Sequence, residues 1–427
     1  MLPLTALASA AAHRLGSKDA ELLLQYGPRQ GYRAFRRALA SFLTERYGTA
    51  VDAEHLMVTA GVSHGLDLAV GALARPGDTI VVECPTYFLV TPIFRDNHLT
   101  VVPMPTDANG LVVEELERWL RADASNRPRL LYTVPIHNNP RGTTLPPERR
   151  AALLRLAAEF DFTVLADEVY QLLSFPNADA AHDQLQHRRH EHQHPPTEAE
   201  AANSSPPAAV PPLPRPLRCY EAEGTDPRDS RVVSFGSFSK MLAPALRLGW
   251  LESSNPELLR RCRENGVISS GGCIAQMSAG TGASSVGVQG LAHSALELGL
   301  QDSHLDGVVR PGLAARCAAL VAGLRRHLPP GACEGLMEPR GGYFVWLQLP
   351  AQVDSTELLA LAERSHGVRF TPGPACGGGG HSCVRLSFAF YSEQELEEGA
   401  RRLAAAVREY LEELGAGKQP GAQQRQQ

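Results

Sequence analysis

The chain has 427 residues, 43% hydrophobic and 20% charged, a balance that excludes a disordered protein and makes two lobes the natural expectation. Its net charge of −5 offers no basic field for a polyanion, so nucleic acid is not an expected partner. No apolar run approaches the ~20 residues of a membrane span, so no membrane partner is expected either.

The opening MLPLTALASAAAHRLGSKDAE lacks both a signal-peptide core and the arginines of a transit peptide, and the cytosol is the expected compartment. From about residue 56 to 170, strand-like runs LMVT, TIVVECP, LTVVPMP, RLLYTVP and FTVLADEVY alternate with helical stretches such as VEELERWLRAD and PPERRAALLRLAAEF. Such alternation predicts an α/β fold, a mainly parallel sheet of the seven-stranded type with helices on both faces. Ligands in such sheets bind beyond the carboxyl ends of the strands.

Between about 177 and 230 the composition shifts to His, Pro, Ala and Glu, which predicts a disordered insert unable to offset its ordering entropy. Its five histidines (His182, His187, His190, His192, His194) lack a paired carboxylate or cysteine, so no metal site is expected. The eight cysteines of the chain form no C-x-x-C pair, which favours reduced thiols over disulfides or zinc. After about residue 297 helical patterns return, and GGYFVWLQLP and SCVRLSFAF read as strands ahead of a last helix SEQELEEGARRLAAAVREYLEELG. This mixture predicts a smaller α+β C-terminal lobe over 297–415, with 416–427 as a disordered tail.

The strand ends carry the chemistry. VVSFGSFSKMLAPALRLGW begins as a buried strand and then presents Ser237, Ser239, Lys240 and Arg247. FTVLADEVY ends in Asp167 and Tyr170, and a carboxylate at the end of a buried strand needs a cation or a donor. IHNNPRGTTL supplies Asn139. AGVSHG opens a helix whose free amides, at Val62 and Ser63, form an anion site. An amine, a carboxylate, a phenol, an amide and an anion cradle together suit a phosphorylated pyridine aldehyde.

The set NPRG, ADEVY, SFGSFSK and LRLGW, in this order and spacing, resembles the fold-type I pyridoxal-phosphate aminotransferases of class I/II. The nearest likeness is to the branch acting on aminoadipate, kynurenine and related amino acids. It covers nearly all of residues 20–410 apart from the insert and places the cofactor in a large domain over 26–296. The resemblance implies that Lys240 is the Schiff-base lysine and proton carrier, and that Asp167 holds the pyridine nitrogen protonated. It implies that Asn139 and Tyr170 bond the ring's phenolic oxygen and that Tyr87, in ECPTYF, stacks on the ring. Ser237, Ser239, Arg247 and the amides of Val62 and Ser63 would hold the phosphate, and Arg385, in VRLSFAF, the substrate α-carboxylate. Tyr26, in YGPRQGY, matches a tyrosine that reaches the neighbouring subunit's phosphate, which implies a homodimer with shared active sites.

The expected reaction moves an amino group between an α-amino acid and a 2-oxo acid. Its rivals are a lyase or decarboxylase of the same fold, a cofactor-sensing regulator, which would need a basic DNA-binding domain, and an inactive scaffold. Two departures from the family bear on the substrate. Residues 1–25 read as a shortened N-terminal arm, and SSGGCIAQMSAGTGASS lacks the usual asparagine and proline.

Overall fold

The computed structural model describes residues 2–18, 20–21, 28–176, 214–269, 285–378 and 380–416. Tyr26, the histidine-rich part of the insert, the segment 270–284 and the tail from 417 lie outside these residues.

Eight short runs pair into one sheet: β1 (Leu56–Thr59), β2 (Thr79–Cys84), β3 (Thr100–Asp107), β4 (Gly110–Leu111), β5 (Leu130–Thr133), β6 (Thr163–Asp167), β7 (Val232–Ser237) and β8 (Gly249–Glu252). Their order is β1-β8-β7-β6-β5-β2-β3-β4, and only β8 and the two-residue β4 pair antiparallel to their neighbours. β5, β6 and β7 are buried along their whole length, as a sheet covered by helices on both faces demands. Because β1, β2, β5, β6 and β7 run in one direction, their carboxyl ends all emerge on the same side.

β8 threads between β1 and β7 in the opposite sense, and its fit explains a glycine. A Cβ on Gly236 would lie 2.1 Å from Cζ2 of Trp250, so β7 accepts no side chain there. Trp250 in turn packs edge-on to Phe238, with ring centroids 5.5 Å apart.

The second, antiparallel sheet contains β9 (Gly335–Met337), β10 (Phe344–Gln348), β11 (Thr371–Pro372) and β12 (Cys383–Ser387) in the order β11-β12-β10-β9. The helices Arg310–His327 and Glu393–Gly415 pack on each other beside it. The latter starts with a capping box, Ser392 bonding the Glu395 amide and Glu395 bonding back. By length and composition the continuous helical run Leu300–His327 would cross a bilayer. Here Leu313, Leu320, Val321 and Leu324 are buried in the main core, the behaviour of a core helix. The helix Leu4–Leu15 is not an extended arm: it lies along the helix Ser285–Glu297, where Arg14 Nε donates to Gly290 O at 3.2 Å and to Ser294 Oγ at 3.0 Å.

Residues 214–230 correct the expected extent of the insert. They carry the short turns Leu217–Tyr220 and Pro227–Asp229, and Leu217 is fully buried. Arg150 Nη1 donates to Arg215 O at 2.6 Å, Gln171 Nε2 to Pro214 O at 3.0 Å, and the Leu217 amide to Glu168 Oε1 at 2.7 Å. These bonds reach 43 to 65 residues along the chain, so a local reading of composition misses them.

Candidate active site

One cleft collects ten of the twelve residues named from the sequence, each delivered by a strand end. β1 leads through Gly61, at φ +85°, into the helix Val62–Leu73, so the free amides of Val62 and Ser63 face the cleft at the positive end of the helix. β2 delivers Tyr87, β5 delivers Asn139, and β6 delivers Asp167 and Tyr170. β7 ends at Ser237, and the turn beyond it brings Ser239, Lys240 and Arg247. Arg247 holds φ +48°, a left-handed conformation that costs a non-glycine residue ~1–2 kcal/mol. A Cβ on Gly61 would lie 2.8 Å from Arg247 Nη2, so the guanidinium rests against bare backbone at the helix start.

Asp167 is buried, and burial pushes its carboxyl up to about 6 against the opposing pull of Tyr132, the Val169 amide and Lys240. Tyr132 donates to Asp167 Oδ2 at 2.8 Å, while Oδ1 has no hydrogen-bond partner among the described residues. A buried carboxylate oxygen with no partner is costly unless a ligand's N–H meets it. Lys240 is held below the usual lysine range, mainly by burial and further by Arg247, with Asp167 opposing. Its Nζ lies 5.2 Å from the centroid of the Tyr343 ring, and Tyr343 Oη donates to the Lys240 carbonyl at 3.2 Å. Tyr343 packs against Tyr170 with centroids 5.5 Å apart. Ser237 Oγ accepts from the Ser239 amide at 3.0 Å, which shapes the turn between them.

Arg385, on β12 of the small sheet, reaches across to the large one. Its Nη1 donates to Asn139 Oδ1 at 2.9 Å and its Nη2 to Thr371 Oγ1 at 3.1 Å. The guanidinium lies 4.3 Å from the ring centroid of Phe344 and 5.4 Å from that of Phe88. Burial lowers its pKa. No carboxylate lies within 4 Å of it among the described residues, so the cation has side-chain amide and hydroxyl partners alone. Tyr26 lies outside the described residues.

Reading from sequence missed Tyr132, Tyr343, Phe88, Phe344 and the buried Glu83. Two of these carried a signal: a phenol in RLLYTVP and a carboxylate in TIVVECP, each inside an otherwise apolar strand. The aromatic residues carried none, because a core ring and a cleft ring look alike in sequence.

A family model, aminotransferase class I and II, matches residues 2–403. The chain belongs to that family, and it is an aminotransferase, an enzyme of the fold-type I architecture. The aromatic-amino-acid aminotransferase 1 of Thermococcus litoralis is 30% identical over 398 residues, covering 92% of this chain and 82% of that protein. A crystal structure of Pyrococcus horikoshii kynurenine aminotransferase, in complex with PMP and with kynurenine as substrate, superposes with a TM-score of 0.77 at 28% identity, over 96% of this chain and 88% of that one. The α-aminoadipate aminotransferase of Thermus thermophilus, in complex with N-(5'-phosphopyridoxyl)-L-leucine, superposes with a TM-score of 0.73 at 27% identity, over 96% and 90%.

Proposed function

We propose that the protein binds pyridoxal phosphate in this cleft and moves an amino group between an α-amino acid and a 2-oxo acid, with Lys240 as the covalent and proton-carrying amine. The observation that carries this reading is Asp167 Oδ1, a buried oxygen without a hydrogen-bond partner among the described residues, in the same cleft as Lys240 and Arg247. A protonated pyridine nitrogen supplies the donor that this oxygen lacks, and the family and its cofactor-bound structural neighbours support the choice of group. When bound, the cofactor's ring supplies the electron sink that weakens the substrate's Cα–H bond.

The chain's own residues do the rest. Asp167 would keep a proton on the ring nitrogen, and Tyr132 holds that carboxylate by donating to its Oδ2. Ser237, Ser239, Arg247 and the amides of Val62 and Ser63 hold the phosphate. Asn139 and Tyr170, which line the cleft, would bond the phenolic oxygen, and Tyr87 would cover the ring face. Lys240 Nζ, with its basicity lowered by burial, takes the proton from Cα and returns it on the other side of the exchange. Arg385 grips the α-carboxylate with a planar fork. The rings of Phe88 and Phe344 beside it, and of Tyr343 beside Lys240, favour a donor with a large apolar or aromatic side chain. A homodimer fits this reading, with Tyr26 of one copy serving the phosphate of the other. In support, Leu2, Leu4 and Leu15 at the N-terminal helix are each more than 60% exposed.

The test is Lys240→Ala, assayed by visible absorbance of the bound cofactor and by a screen of amino donors with product analysis. The variant is expected to fold, lose the lysine-dependent absorbance and lose turnover. Full activity would remove Lys240 from the chemistry, and a product other than the 2-oxo acid would favour a lyase or decarboxylase.

A further inference from the structure

Glu83 is 1% exposed on β2. Its three hydrogen bonds among the described residues go to the neighbouring strand and the turn beyond it. Oε1 accepts from Thr133 Oγ1 at 2.7 Å, and Oε2 accepts from the Val134 amide at 3.0 Å and from Asn138 Nδ2 at 2.8 Å. The β2–β5 ladder pairs Val82 with Tyr132 and goes no further, so Glu83 continues the connection with a side chain where the backbone ladder stops.

Asn138 is the hub of the turn that follows. Its amide donates to Thr143 O at 2.7 Å, its carbonyl accepts from the Gly142 amide at 2.7 Å, and its Oδ1 accepts from the Arg141 amide at 3.1 Å. Every polar atom of Asn138 is thus engaged, and its side-chain nitrogen is engaged by Glu83. The next residue is Asn139, whose Oδ1 receives Arg385.

We infer that Glu83 is a positioning residue: by holding Asn138 from inside the sheet it sets where Asn139 stands between the cofactor ring and the carboxylate-binding Arg385. This inference rests on the proposed aminotransferase site, but it concerns a residue that never reaches substrate. An apolar side chain at 83 would leave the Thr133 hydroxyl and the Val134 amide without this acceptor and Asn138 Nδ2 with only its longer bond to Val134 O at 3.4 Å, and Asn138 leads directly to the site. The role is one of geometry rather than charge. Burial pushes the Glu83 carboxyl up to about 7, so the fold tolerates a neutral group there. Glutamine has the required pattern, because its oxygen accepts from Val134 and Asn138 while its amide donates to the Thr133 hydroxyl, which both donates and accepts.

The experiment compares Glu83→Gln, Glu83→Leu and Asn138→Ala in the full chain. Three quantities are measured: pyridoxal-phosphate affinity by absorbance titration of the apoprotein, KM and kcat for one amino donor, and the melting temperature. Glu83→Gln is expected to stay within about threefold of wild type in cofactor affinity and KM. Glu83→Leu is expected to raise KM by about tenfold or more, with a smaller fall in kcat, and to weaken cofactor binding. Asn138→Ala keeps the Thr133 and Val134 bonds and should reproduce the rise in KM, which keeps the inference testable if the leucine variant fails to fold. A lower melting temperature with unchanged KM and cofactor affinity in Asn138→Ala would make Glu83 merely structural. A glutamine variant as impaired as the leucine one would show that charge, not geometry, matters, and would also overturn the inference. Neither result bears on Lys240, whose own variant tests the underlying reaction.

Discussion

Burial pushes the Asp167 carboxyl up to about 6, and under the proposed function that bears on how the apoprotein would bind pyridoxal phosphate. On the proposed reading the ionised form would be the partner of a protonated ring nitrogen, so affinity is expected to be complete well above pH 6 and to fall as pH drops through about 6. Tyr132 opposes the effect of burial by donating to the charged carboxylate. Removing that hydroxyl in Tyr132→Phe keeps the buried ring and takes away a hydrogen bond of about 1.5–3 kcal/mol, which corresponds to an upward shift of roughly one to two pKa units. The expected result is a pH midpoint for cofactor affinity that moves upward by about that amount in the variant. The comparison is read as a difference between the two proteins, in which the free cofactor's own titration cancels. An unmoved midpoint, or one that moves down, would show that Tyr132 does not tune Asp167.

The parallel strands were legible because each is a short apolar run, and nine of the ten cleft residues named from the sequence stood out because they lie at the end of such a strand or within six places beyond it, with Arg247 ten places beyond β7. Asp167 announces itself as a carboxylate at the end of a buried strand, where only a partner makes it tolerable, and Lys240 as an amine just past another. β8 was not legible: LRLGW reads as the end of a loop motif, and its pairing with β1 and β7 depends on residues up to 196 positions away. The segment 214–230 failed for a related reason. Its polar composition reads as loop, yet backbone carbonyls of Pro214 and Arg215 satisfy the buried side chains of Gln171 and Arg150. The buried Leu217 anchors that element against Val232, Val164 and the helix Pro147–Phe160 in the second core cluster. Leu217→Ala should therefore cost about 2–4 kcal/mol in denaturant unfolding with kcat changed little, whereas a true loop leucine would cost under about 0.5 kcal/mol. The latter outcome would mean that the insert extends to residue 230 after all.

At the scale of the molecule, the cleft is completed only where the two sheets meet. The small sheet docks through backbone at Gly341, bridged to Ser174, and through the Gly342 amide, which donates to Leu173 O at 3.2 Å. A Cβ on Gly341 would lie 2.3 Å from His137 Nε2, so the close approach depends on the absence of a side chain. This docking carries β12 to the point where Arg385 bonds Asn139, a residue 246 positions earlier in the chain. One arginine thus joins the lobe that would bind the cofactor to the lobe that would clamp the substrate. Arg385→Lys keeps a positive charge but loses the fork that reaches Asn139 and Thr371 together, and it gives up the flat stacking on Phe344. The expected loss is about 2–4 kcal/mol in kcat/KM, similar for every amino acid and 2-oxo acid accepted, because all share the α-carboxylate. Cofactor affinity should fall far less, since Arg385 bonds Asn139 and Thr371 and not Ser237, Ser239, Arg247 or the helix start, which would hold the phosphate. Steady-state kinetics on several substrate pairs, together with cofactor titration, separates the two effects. A variant that releases cofactor while turning over amino acids normally would show that Arg385 holds the lobes together and does not hold the substrate.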